Sequence, residues 1–159
     1  MNLSKKQKTT GILLAIALFL NTLNSSLYFL YLLKVNFIEW LSFNSCSPLS
    51  FVYLICFLLF LNKRKAIWLP LTFLPIYFLG TTSLFFIPWN ETTLIAHFGH
   101  LIMTANLIWV IYIILKHKEY KALALGLLIG IIIFTPYIGY VQTYNHQHAE
   151  RLEQLLKQL

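Results

Sequence analysis

The sequence contains no aspartate, and its five glutamates stand against twelve lysines and arginines in 159 residues. The glutamates lie outside the long apolar runs or at their ends: Glu39, Glu91, Glu119, Glu150 and Glu153. A proton relay through buried acids, or catalysis by an intramembrane aspartate, therefore lacks its essential groups. Charged residues make up only 11% of the chain, where soluble domains have about 25%. The composition is that of a membrane protein.

Cysteine is equally scarce, because Cys46 and Cys56 are the only two. We expect the first in a loop and the second inside the membrane, so a disulfide framework is excluded. The sequence also has no HExxH or CxxC pattern, no P-loop or dinucleotide motif and no nucleophile–base–carboxylate set. We therefore expect a protein that is not an enzyme.

Apolar residues are abundant instead, at 58% of the chain. A helix needs about 20 mostly apolar residues to cross a membrane, and five uncharged stretches reach that length. They predict an all-α integral membrane protein, a five-span transmembrane helical bundle with a C-terminal amphipathic helix. The bundle covers residues 1–144, and its spans lie at about 10–33, 41–62, 66–89, 93–115 and 122–143.

The second of these spans has a polar first third, which contains Ser42, Asn44, Ser45, Ser47 and Pro48. Its secure apolar core is only residues 49–61. A tilted or half-inserted helix is therefore an alternative to a full crossing at this position.

Basic residues between the spans indicate the orientation, because short cytoplasmic loops retain lysine and arginine. Five crossings place nine basic residues on one side: Lys5, Lys6, Lys8, Lys63, Arg64, Lys65, Lys116, Lys118 and Lys121. The other side has only Lys34, Arg151 and Lys157. We expect a plasma (inner) membrane protein with a cytoplasmic N-terminus and a periplasmic or extracellular C-terminus. This topology explains the net charge of +7, so no nucleic-acid partner is expected.

The last fifteen residues, 145–159, are more polar than the spans before them. Leu152, Leu155, Leu156 and Leu159 recur at i, i+3, i+4 and i+7, with charged and amide residues between them. This spacing is typical of an amphipathic helix. We expect it to lie on the outer membrane face or to dock on a partner.

Polar residues within the first span form a stripe, because Asn21, Asn24, Tyr28 and Tyr31 lie three or four residues apart. We expect the stripe to face the bundle interior. Hydrogen bonding between helices is its commonest role. Asn21 and Asn24, with Thr104 of the fourth span, are also the candidate substrate-binding residues if the protein transports a solute.

Proline and glycine interrupt two other spans. Pro70, Pro75 and Pro88 predict a plain kink in the third span, although a broken helix that offers carbonyls to a solute is the alternative. In the fifth span, Gly126 and Gly130 have the GxxxG spacing that favours close helix contact.

Histidine is the most chemically suggestive residue type. His97 and His100 lie i, i+3 on the fourth span, and His146 and His148 follow the fifth, so all four are expected in the outer half. Imidazoles ligate zinc, copper or iron, including haem iron. These four are the candidate ligands for a metal ion or haem, but hydrogen bonding within the bundle is the alternative.

Three functions are compatible with these features. The favoured hypothesis is a small accessory subunit of a larger membrane assembly, whose partners are the lipid bilayer and a membrane protein or a second copy of the chain. It would pack through its GxxxG face and its tail helix. The alternatives are a small-solute or ion transporter or channel, and a metal- or haem-binding membrane protein.

Overall fold

The computed structural model describes residues 1–86, 89 and 93–156, and within these ranges all regular structure is helical. The α-helices are α1 (Lys5–Leu27), α2 (Phe37–Phe43), α3 (Cys46–Lys63), α4 (Phe73–Ile76), α5 (Ser83–Phe86), α6 (Leu94–Lys116), α7 (Tyr120–Gln147) and α8 (Ala149–Leu156). A π-helical turn, Tyr28–Leu32, extends α1.

Five helical segments among the described residues are long and apolar enough to cross a membrane, as the sequence predicted. They are Lys5–Leu32, Cys46–Lys63, Ala66–Phe85, Leu94–Lys116 and Tyr120–Gln147. The fold class is therefore all-α with five candidate spans.

The predicted start of the second span, at residue 41, is wrong. Residues up to Phe43 belong to the separate helix α2, and α3 begins at Cys46. Asn44 ends α2 with a non-helical backbone, and Pro48 is the third residue of α3. Proline is tolerated there because a first-turn N–H has no helical acceptor. The polar residues thus form a boundary between two helices.

The third span is not a helix with one plain kink, as the sequence had favoured. It begins with two 3₁₀ turns, Ala66–Trp68 and Pro70–Thr72, continues through α4 and then widens to a π-helix at Tyr77–Thr81 before α5. Its two prolines explain part of this, because each lacks an N–H for a regular helical bond. Residues 87 and 88 near the predicted end of this span, and with them Pro88, lie outside the described residues.

Helix α6 is the most buried span and lies against α1. Its face of Met103, Val110 and Ile113 belongs to a core shared with Leu18 of α1 and Tyr53 of α3. Helix α7 packs mainly against the first half of the third span. The bundle thus has α6 near its centre, with α1 and α7 exposing most of their surface.

The bundle has two distinct ends. At the end that we call the basic end, Arg64 Nη1 donates to Asn2 Oδ1 at 3.3 Å, and His117 Nε2 lies 3.4 Å from Gln7 Oε1. At the opposite end, called the tail end, Asn145 Nδ2 donates to the carbonyl of Ser42 at 3.3 Å.

The tail was expected on the membrane face or on a partner, but its helix α8 packs on this chain. Leu155 is only 2% exposed and belongs to a buried apolar cluster with Val35 and Trp40. In addition, Arg151 Nε lies 3.4 Å from Glu39 Oε1. Helix α7 also extends to Gln147, beyond the predicted boundary at residue 144. Residues 157–159 of the predicted amphipathic helix lie outside the described residues.

Candidate functional site

Helix α6 presents His97, His100 and Thr104 on one face near the tail end, because residues three and four apart share a helix face. His97 is fully buried, and His100 is 7% exposed. Their ring centroids lie 6.3 Å apart at an interplanar angle of 74°. The spacing in the sequence had predicted this shared face.

His100 meets Cys46, which is the first residue of α3. Cys46 Sγ lies 3.3 Å from His100 Nε2 and 2.9 Å from the carbonyl oxygen of Leu79. When the thiol donates to that carbonyl, the sulfur can accept from the protonated Nε2. His100 Nδ1 is buried and has no hydrogen-bond partner within the described part of the chain.

The π-helical turn of the third span supplies the carbonyl in this cluster. Leu79 also accepts a hydrogen bond from Ser83 Oγ at 2.9 Å, and Phe78 accepts one from Thr82 Oγ1. These two carbonyls therefore already accept hydrogen bonds from side chains of this chain. They are the kind of group that a broken helix could offer to a transported solute.

Thr104 extends the cluster by one helical turn. Its Oγ1 lies 3.1 Å from Thr81 Oγ1 and 2.8 Å from the carbonyl of His100. Thr104 thus joins α6 to the broken third span. These contacts give the Thr104 hydroxyl a role in helix packing. The role of Thr104 in substrate binding stays a prediction.

His97 is covered by an aromatic ring. The Trp89 and His97 rings stack with centroids 4.0 Å apart and an interplanar angle of 3°. Trp89 Nε1 donates to the carbonyl of Leu84 at 3.0 Å, which fixes the indole in place. One face of the His97 imidazole is therefore closed.

His146 and His148 lie at the end of α7, and both are exposed. The His148 ring stacks on Tyr144 with centroids 4.1 Å apart. Among the described residues, no three His, Cys, Asp or Glu side chains are placed to hold a metal ion together. The structure thus pairs His100 with Cys46 and does not join the four histidines in one site.

The polar stripe of the first span divides between two environments. Asn21 packs against Gly99 of α6, where an added Cβ would lie 2.7 Å from Asn21 Nδ2. Asn24 is exposed, and Tyr31 is 77% exposed. The expectation that the whole stripe faces inward is wrong, because α1 contacts neighbours on part of its circumference only.

The GxxxG face of α7 is filled by this chain. A Cβ on Gly126 would lie 2.5 Å from Pro70 Cγ, and one on Gly130 would lie 2.5 Å from the carbonyl oxygen of Leu71. Both glycines therefore serve close packing between α7 and the third span. The expectation that this face binds a partner is wrong.

A second pair of small residues lies on the outward side of α7. Thr135 and Gly139 are four residues apart, and both are exposed, as is Pro136 between them. A Cβ at Gly139 would meet no atom within 4 Å. The sequence contains this spacing, but only the packing of α7 shows which pair faces outward.

The arrangement at Cys46 and His100 offers a thiol and an imidazole, two good ligands for soft metal ions. Among the described residues no carboxylate hydrogen-bonds to the His100 imidazole, whereas the common hydrolase triads require one to orient that ring. No protein-family model matches the chain, and no curated protein and no solved structure matches it either.

Proposed function

We propose that the protein is a small structural subunit of a larger membrane assembly, which binds a second membrane-embedded chain through the outward face of α7. The observation that carries this proposal is a patch of three exposed residues, Thr135, Pro136 and Gly139, called the α7 patch. The other two glycines of this helix, Gly126 and Gly130, already pack against the third span.

The α7 patch leaves polar groups without internal partners. The Thr135 hydroxyl makes no hydrogen bond within residues 1–86, 89 and 93–156. Pro136 has no N–H, so the carbonyl of Ile132 lacks its usual helical donor. In hydrocarbon such groups favour contact with another helix, and small residues allow the close approach that this contact needs.

Polar residues inside the bundle support a structural role as well. Asn106 is fully buried, and its Nδ2 donates to the carbonyl of Leu14 at 3.2 Å and to that of Ile102 at 2.9 Å. Trp109 Nε1 donates to the carbonyl of Gln7 at 3.3 Å. The bonds to Leu14 and Gln7 join α6 to α1, which is the common use of polar groups in membrane helices.

The proposal includes a location and an orientation. The basic end faces the cytoplasm and the tail end faces the periplasm or the exterior, because lysine and arginine are retained on the cytoplasmic side. The α7 patch then lies within the membrane, on the surface that lipid or a partner helix covers.

Photocrosslinking tests the α7 patch directly. Tyr140 is 47% exposed beside it, and Tyr112 is 48% exposed on α6. We expect benzoylphenylalanine at Tyr140 to crosslink to one discrete partner, or to a second copy, in native membranes. The Tyr112 position is the control and should give no discrete adduct.

A bulky substitution provides the second arm. Gly139→Leu should abolish the Tyr140 adduct, because the added side chain fills the space that a partner backbone needs. Ala96→Leu, at an exposed position on α6, is the matched control and should leave the adduct unchanged. An adduct that survives Gly139→Leu would refute the proposal.

The contact between Cys46 and His100 favours a second candidate function, the binding of a soft metal ion. A thiolate and an imidazole are suitable ligands for monovalent copper. Titration of purified protein with Cu(I) should then give one site that both Cys46→Ala and His100→Leu remove, while His117→Leu at the basic end retains it. Binding unchanged in the first two variants would exclude this candidate.

A further inference from the structure

Helices α1 and α3 leave an apolar groove open on the surface of the bundle. It has a volume of about 460 Å³ and is lined entirely by apolar side chains, from Ile12 to Phe19 on α1 and from Phe51 to Leu61 on α3. Ile16, Ile55 and Leu58 on its walls are at least half exposed. This surface, which we call the α1–α3 groove, is separate from the α7 patch.

The length of the α1–α3 groove matches one leaflet of a bilayer. Its walls extend over seven residue steps on α1 and ten on α3, or about 10 and 15 Å at 1.5 Å per residue. The hydrocarbon core is about 30 Å thick, so the groove covers about half of it. This is the length that one acyl chain occupies within a single leaflet.

The groove ends at cationic side chains. Leu61 also lines a small adjoining hollow at the basic end, whose other walls include Lys8, Phe60 and Arg64. Lys8 and Arg64 are exposed. Within the described ranges neither forms an ion pair, because the salt bridge found there joins Glu39 to Arg151 at the tail end. Two cationic groups are therefore available where a lipid phosphate would lie.

We propose that the α1–α3 groove binds an anionic phospholipid of the leaflet at the basic end. One acyl chain lies along the groove, and the phosphate group interacts with Lys8 and Arg64. Apolar lining, leaflet length and terminal positive charge together match such a lipid. The inference is independent of the proposed role of α7.

Native mass spectrometry tests the site on full-length protein released from vesicles of phosphatidylcholine with a minority of phosphatidylglycerol. We expect one retained phosphatidylglycerol per chain. The double variant Lys8→Gln, Arg64→Gln should weaken its retention about thirtyfold, since each basic group near an anionic surface contributes about fivefold. Lys118→Gln, Lys121→Gln removes the same charge from another loop of the basic end and should retain the lipid.

A second variant tests the groove itself. Ile16→Trp fills it from a half-exposed position and should lower lipid retention with all basic residues in place. Ile132→Trp on exposed α7 is its control and should have no effect. Three results would each overturn the proposal. The two double charge variants could lose phosphatidylglycerol equally, the protein could retain phosphatidylcholine as strongly as phosphatidylglycerol, or Ile16→Trp could retain phosphatidylglycerol in full.

Discussion

Cys46 Sγ lies 3.3 Å from Nε2 of His100, although 54 residues separate them in the chain. The contact joins the start of α3 to α6, and the carbonyl of Leu79 links the third span to the same sulfur. Three spans thus meet at one thiol, which gives Cys46 a structural role whether or not a metal ion binds there.

A double-mutant cycle measures this contact. Cys46→Ala and His100→Leu should each lower the free energy of unfolding in detergent, and their effects should be coupled by about 0.5 to 1 kcal/mol, the usual range for a hydrogen bond between membrane helices. The double variant isolates the pair from the other contacts of each residue. Effects that add within about 0.3 kcal/mol would show that the contact contributes nothing.

The glycines of α7 should differ sharply in their tolerance of larger residues. Gly130→Leu should destabilise the protein by about 1 to 3 kcal/mol, because the new Cβ meets the backbone carbonyl of Leu71, which moves less easily than a side chain. Gly139→Leu should change the stability of the isolated chain by less than about 0.5 kcal/mol, since its Cβ meets open space. Thermal unfolding of both variants in detergent checks the prediction.

Equal destabilisation by the two α7 substitutions would contradict the packing of this helix. It would also remove the distinction between the glycines that serve the bundle and Gly139, which we assign to a partner.

Leu155 should hold the tail helix against α2. Leu155→Ala removes most of a side chain that is 2% exposed between Val35 and Trp40. We expect amide hydrogen exchange across Ala149–Leu156 to accelerate at least tenfold while exchange in α6 stays unchanged, because α8 can open locally. Gln154→Ala, at an exposed position, is the control. The same slow exchange in both variants would show that Leu155 does not hold the helix.

The adjacent ion pair should matter less. Glu39→Gln is expected to accelerate exchange in α8 only slightly, because partly exposed pairs contribute at most about 1 kcal/mol and are screened by salt. An effect as large as that of Leu155→Ala would mean that charge, and not apolar burial, docks the tail.

The number of candidate spans could be predicted from the sequence, because a membrane-crossing helix requires an uncharged apolar run of about 20 residues. The shared face of His97 and His100 was also predictable, since it follows from helix geometry. The contact between Cys46 and His100 was not, because it depends on the depth and rotation of two helices far apart in the chain. The same limit applies to Asn24, whose neighbours on α1 do not determine which side meets another helix.

The tail shows a different limit. The leucine spacing indicated an apolar face on residues 145–159, but an apolar face is compatible with lipid, a partner or the same chain. Only the positions of Val35 and Trp40 show that α8 docks on its own chain. Likewise, the GxxxG spacing indicated close packing, but the structure alone places Leu71 against it.

The orientation of the five spans is the central claim, and labelling of single cysteines by a membrane-impermeant maleimide tests it most directly. In a Cys46→Ala, Cys56→Ala background, Ser4→Cys marks the start of α1 and Gln154→Cys marks α8. In intact cells we predict labelling of the Gln154→Cys variant only, with Ser4→Cys labelled after the membrane is permeabilised. Labelling of both positions in intact cells, or of neither, would place the two ends on the same side and contradict five crossings.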